Sequence, residues 1–147
     1  MEKLPKVEVS FVAAGKDFDL TNMTSVLEIQ PTEVRTKDDW PNAIKNNPNL
    51  PEEYQPRHSW SYSKVFYEMY DFTLAYQEIL SKFKPKTDTL KKLTNNEEIK
   101  YAVVLSIDCY NGDFPAMVVD IPMLHFLSDI NAEISFDIIS YEEDEEE

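Results

Sequence analysis

Apolar and polar side chains alternate through Val7-Glu8-Val9-Ser10-Phe11, the period of two expected of a strand with one buried face and one wet face. The period then changes. Leu20, Met23 and Leu27 recur at helical spacing behind Asp19, whose carboxylate is placed to accept from the free amides of a first turn. Pro31 forbids that helix from running on, and Glu33 to Lys37 is a second strand candidate. Trp40 to Pro56 carries Pro41, Pro48, Pro51 and Pro56 among several asparagines. Proline removes amide donors, so this segment is expected to be an exposed loop.

Strict alternation returns in His58-Ser59-Trp60-Ser61-Tyr62-Ser63, a third strand with His58, Trp60 and Tyr62 on one face and serines on the other. Phe72, Ala75, Tyr76, Ile79, Leu80 and Phe83 form a helical stripe ended by Pro85, and a further helical stretch is expected over Thr87 to Leu93. Ile99 to Cys109 contains the unbroken run Ala102-Val103-Val104-Leu105, the pattern of a strand covered on both faces, and so of the sheet centre. Asn111-Gly112-Asp113 has turn chemistry that predicts a hairpin to Ala116-Met117-Val118-Val119. Asp120 is placed to cap a helix from Ile121 to Asp129. Ala132, Ile134, Phe136 and Ile138 then alternate with Glu133, Ser135 and Asp137 in a last strand, which puts Phe136 on the sheet with Leu105. This order predicts an α+β fold, a mostly antiparallel sheet with two or three helices on one face as a two-layer sandwich.

The run from Phe18-Asp19 through Leu27, then Ile29-Gln30-Pro31-Thr32, the lone tryptophan strand at Trp60, the helix ending Phe83-Lys84-Pro85, Leu90, the apolar strand and the closing alternating strand resemble domain-of-unknown-function family 4279, found mainly in bacteria. The resemblance covers roughly Val7 to Tyr141 and implies an α+β domain, with no catalytic residues to carry over. Members often have glycine after the helix leucine, where this chain has Glu28, and the turn after the second strand reads Lys37-Asp38-Asp39 before the proline-rich insertion.

At 147 residues the chain has the length of one ordinary domain. We expect residues 1–141 to form it and residues 142–147, all acidic, to be a disordered tail. Net charge is −14, and −8 without the tail, so phosphate backbones and anionic lipid are repelled and basic proteins attracted. No apolar run is long enough to span a bilayer, and Met1-Glu2-Lys3-Leu4-Pro5 lacks the apolar core of a signal peptide, so the expectation is a cytoplasmic protein bound to neither membrane nor nucleic acid.

Candidate chemistry is sparse. The single cysteine, Cys109, lies in an apolar segment and reads as a small buried hydrophobe. Asp108, Asn111, Asp113 and Asp120 surround one turn but lack the spacing of a calcium loop, and they are residues that turns and caps use in any case, so no metal site and no cofactor are expected. With only His58 and His125 as histidines, and only Gly15 and Gly112 as glycines, neither a nucleophilic triad nor a phosphate loop is assembled by spacing. The leading expectation is a protein-binding module, an inhibitor or immunity protein against a basic partner such as a nuclease. The alternative is a small-ligand or enzymatic domain with its site near the face of His58, Trp60 and Tyr62, against the plain alternative that helices cover that face.

Overall fold

The computed structural model describes residues 3–51 and 54–142; most of the expected acidic tail, residues 143–147, lies outside them. Strand β1 (Lys6–Gly15) buries Val7, Val9, Phe11 and Ala13 on one face, as its alternation predicts. In helix α1 (Leu20–Leu27) the Asp19 carboxylate accepts from the Asn22 N–H at 2.9 Å, and Met23 and Leu27 face the core. The helix closes at Glu28, whose φ of 57° lies in the left-handed region. Strand β2 (Glu33–Arg35) is shorter than the expected Glu33 to Lys37. The Asp39 carboxylate accepts from the Thr36 N–H at 2.7 Å and its hydroxyl at 3.2 Å, winding Lys37–Asp39 into a 3-10 turn. A short helix, α2 (Asn42–Lys45), interrupts an otherwise exposed proline-rich segment.

Strand β3 (His58–Phe66) leads to helix α3 (Thr73–Phe83), then a 3-10 turn around Pro85, and helix α4 (Thr87–Asn96). Proline cannot donate to the preceding turn, which accounts for the break at that point. Strand β4 (Lys100–Tyr110), helix α5 (Ile121–Asp129) and strand β5 (Glu133–Tyr141) complete the chain. The five strands run in the order β2-β3-β1-β4-β5, antiparallel throughout except for the parallel pair β4–β5. The α+β sandwich is therefore as predicted, with the helices on one face.

That packing is aromatic at its centre. Phe83 of α3 stacks on Phe11 of β1 at 4.0 Å between ring centroids and meets Trp60 edge-on at 6.1 Å. Phe126 of α5 approaches the same Phe11 at 6.4 Å. Such pairs contribute roughly 0.5–1.5 kcal/mol each beyond their buried area, and these tie β1, β3, α3 and α5 together around Phe11 and Phe83.

Two expectations about the sheet are corrected. Its central strand is β1; β4 lies beside it, and its burial alternates, Tyr101, Val103, Leu105, Ile107 and Cys109 being buried while the intervening residues are half-exposed. The apolar run Ala102-Val103-Val104-Leu105 reads as covered on both faces because Ala102 and Val104 sit on a sparsely covered face of small side chains. The hairpin to Ala116–Val119 does not form either. Asn111 and Gly112 take left-handed φ of 54° and 75°, and Asp113 N–H bonds back to the Tyr110 carbonyl at 3.0 Å, so the turn is real. Pro115 then has no N–H with which to continue a ladder, and Ala116 N–H goes instead to the Tyr70 carbonyl at 2.7 Å. The place beside β4 belongs to β5, whose Tyr141 carbonyl accepts from Asn111 N–H at 2.9 Å, with α5 supplying the crossover that a parallel pair requires.

Candidate functional site

The sequence places His58, Trp60 and Tyr62 on one strand face, and β3 does present all three towards the helices, opposite Gly15, Ala13 and Phe11 of β1. Each is held differently. Trp60 is fully buried, its indole N–H donating to the Thr24 hydroxyl of α1 at 2.9 Å. His58, near the end of the strand, accepts from the Lys37 N–H on Nδ1 at 3.0 Å and faces the Asp17 carboxylate with Nε2 at 3.2 Å. The Tyr62 hydroxyl donates to the Glu78 carboxylate of α3, and Lys82 Nζ lies 5.0 Å over its ring.

This last pair is electrostatically matched. Burial first, then the bond to Glu78, pushes the Tyr62 phenol up to about 12. The Tyr62 hydroxyl is in turn the main cause that holds Glu78 below the ordinary carboxylate range, with Lys64 Nζ also in reach at 3.5 Å. A neutral phenol donating to an ionised carboxylate is a satisfied structural bond that ties β3 to α3.

Concave surface lies elsewhere. A cleft of about 950 Å³ is walled by the end of β1 with Gly15 and Lys16, by Arg57, and by the α4–β4 connection around Glu97, Glu98 and Lys100. A second of about 360 Å³ lies within the proline-rich segment, between Lys37, Lys45, Pro48 and Pro56. Neither counts His58, Trp60 or Tyr62 in its wall. The first is shaped by Gly15, because a Cβ there would sit 2.2 Å from the Glu98 carbonyl, so only glycine lets the two segments meet.

The acidic residues around Gly112 are dispersed in role. Asp108 pairs with Lys6 across the β1–β4 ladder at 3.2 Å, Asp120 caps α5 by accepting from Met123 N–H at 3.0 Å, and Asn111 and Asp113 make the turn. His125 is exposed on α5, and Cys109 is fully buried, burial being the main cause that raises its thiol above the usual range.

A surface that the sequence reading did not single out stands at the end of the sheet where β3 and β4 finish. Tyr67 and Tyr70, on the segment leaving β3, are 72% and 64% exposed. Phe114 and Val118, on the segment leaving β4, are 50% and 64% exposed, and Ile121 opens α5 at 68%. The two segments are joined by the Ala116-to-Tyr70 hydrogen bond and an Asp71–Ala116 bridge, and Glu68 between the tyrosines is held at φ 57°. Large apolar side chains gathered on hydrogen-bonded loops differ from the scattered exposed residues common to any surface. Glu68, Asp71, Asp113 and Asp120 lie on the same segments. A sequence signal did exist: Phe66-Tyr67-Glu68-Met69-Tyr70-Asp71-Phe72 is dense in aromatics yet fits neither a period of two nor a helical stripe.

The chain matches the family described as a domain of unknown function, DUF4279, over residues 5–141, and it belongs to that family. No curated protein and no solved structure matches it.

Proposed function

We propose that this chain is a cytoplasmic protein-binding module of the inhibitor or immunity type, and that it holds a basic partner at the end of the sheet through Tyr67, Tyr70, Phe114, Val118 and Ile121. The observation that carries this reading is the joining of these exposed side chains on two hydrogen-bonded segments, beside carboxylates, in a chain of net charge −14. Tyrosine and phenylalanine bring large, rigid contact area at small entropic cost, the property of interface anchors. The acidic field adds attraction to a basic surface, acting mainly on the rate of encounter. A nuclease, whose substrate-binding surface must itself be basic, is the partner class that such a field favours.

The test is capture from source-cell lysate at graded salt, using the wild type and a Tyr70→Ser, Val118→Ser variant whose fold is checked by circular dichroism. A basic protein retained at low salt, released at high salt and missed by the variant is the expected result. Captured proteins that are acidic, or retention indifferent to salt and to the substitutions, would overturn the reading.

The cleft of about 950 Å³ favours a second reading, a small-ligand site adjoining the His58 end of β3. Gly15 in its wall is paired with His58, and its mixed lining of Lys16, Arg57, Glu97 and Glu98 suits a polar ligand of mixed charge. A thermal-shift screen of metabolites, nucleotides and metals tests this, and an unchanged melting temperature across the screen would count against it.

A further inference from the structure

The two edges of the sheet are treated differently. At one edge β2 offers three residues, Glu33, Val34 and Arg35, and then turns away into a 3-10 turn, so it is short and charged. At the other, β5 runs nine residues from Glu133 to Tyr141 with no lysine, proline or glycine in it. Short strands, charge and proline are the means by which an edge is kept from pairing with another chain, and β5 has only Glu133 and Asp137 to serve. Its apolar side chains are also left in view: Phe136 is 38% exposed and Ile138 45%, on the face shared with the helices.

We infer that β5 pairs antiparallel with β5 of a second copy of this chain, giving a two-fold dimer with one continuous sheet. The backbone of β5 is set for it. Because the Tyr141 carbonyl faces β4, the odd-numbered residues of the strand point their N–H and C=O groups inwards, and Ile134, Phe136, Ile138 and Ser140 point theirs outwards, away from β4. A two-fold axis at Phe136 brings these outward groups together, Phe136 facing Phe136 of the partner subunit and Ile134 facing Ile138 of the partner subunit. One apolar stripe then crosses the interface unbroken.

Charge selects that register among its neighbours. With the axis at Phe136, Asp137 faces Ser135 of the partner subunit and Glu133 faces Ile139 of the partner subunit, so no two carboxylates are opposed. Moving the axis to Asp137 sets that carboxylate against its own copy, and moving it to Ser135 sets Asp137 against Glu133 of the partner subunit. With the axis at Ile138, Phe136 meets a serine and Ile134 meets Glu142 of the partner subunit. Like charges directly opposed are destabilising, and an isoleucine facing a carboxylate forfeits its apolar contact. The charged β2 edges remain outermost, so the assembly closes at two copies and does not grow into a filament.

Two copies that each carry −14 repel, which gives the dimer a signature opposite to that of a basic partner. Analytical ultracentrifugation of the full chain, from micromolar to millimolar protein, is expected to show a monomer–dimer equilibrium that tightens several-fold as sodium chloride screens the repulsion. Phe136→Lys, which sets two cations against each other at the axis, is expected to abolish the dimer. Ile138→Lys is a second variant in case the first fails to fold, each being checked by circular dichroism. For the register, a Ser135→Cys, Asp137→Cys variant faces the two new thiols across a non-hydrogen-bonded pair, where strand backbones lie about 4.5 Å apart, and is expected to oxidise to a covalent dimer. A monomer at every concentration and salt overturns the inference, as does a dimer that survives in both folded lysine variants or one that weakens as salt is added.

Discussion

Glu28 shows how much a single backbone position can decide. Its φ of 57° is one that glycine adopts freely and a side chain with Cβ does not, yet its N–H still closes α1 on the Thr24 carbonyl at 2.9 Å. Glu28→Gly is therefore expected to stabilise the domain by about 0.5–1 kcal/mol, the relief of left-handed strain exceeding the added freedom of the unfolded chain. Urea midpoints check it, and a lower midpoint would mean that the Glu28 side chain makes a contact worth more than the strain. Tyr76 presents the opposite case. It is almost wholly buried, with a hydroxyl that has no hydrogen-bond partner among the described residues. Tyr76→Phe is expected to raise stability by about 1 kcal/mol at neutral pH, since it removes an unsatisfied buried group and keeps the ring. Burial, with a smaller push from Asp120, raises this phenol to about 12. Its folded value thus lies above the unfolded one near 10, so its titration leaves stability unchanged below about pH 10 and lowers it as pH rises from 10 towards 12, where the unfolded chain ionises first. The variant is expected to show a shallower loss of stability over that window.

At the scale of elements, legibility followed burial. Strands β1 and β3 and helices α1, α3 and α5 lie where alternation, helical stripes and the caps Asp19 and Asp120 predict them, because each meets the core along one face. The last strand also lies where its alternation predicts, but at the edge of the sheet. Phe136 sits at the sheet edge, stacked on Phe72 at 6.0 Å but still 38% exposed, whereas Leu105 on the neighbouring strand is fully buried. Leu105→Ala is accordingly expected to cost about 2–5 kcal/mol, and Phe136→Ala less than that in the monomer. Equal shifts of the urea midpoint in dilute protein would place β5 deeper than its exposure indicates. Alternation shows which side chains share a face, but it is silent on whether another strand or a helix covers that face.

For the molecule as a whole, the net charge of −14 has a consequence for the fold as well as for partners. Self-repulsion favours expansion of the chain, so raising sodium chloride from low concentration is expected to raise the melting temperature, most steeply below about 0.1 M, where the screening length exceeds about 10 Å. A melting temperature that falls over this range would mean that attractive pairs such as Lys6–Asp108 outweigh the repulsion. Fold class, the placing of helices α1, α3 and α5 and the face shared by His58, Trp60 and Tyr62 were legible in the chain itself, since they depend on spacing and on proline and capping residues acting over a few positions. The exclusion of Ala116–Val119 from the sheet, the parallel seating of β5 beside β4 and the gathering of Tyr67, Tyr70, Phe114, Val118 and Ile121 at one end belong to the tertiary structure alone. Each depends on which distant segment wins a place at a strand edge. That competition is decided by hydrogen bonds such as Ala116 to Tyr70 and Asn111 to Tyr141, between residues whose separation along the chain leaves no periodic trace.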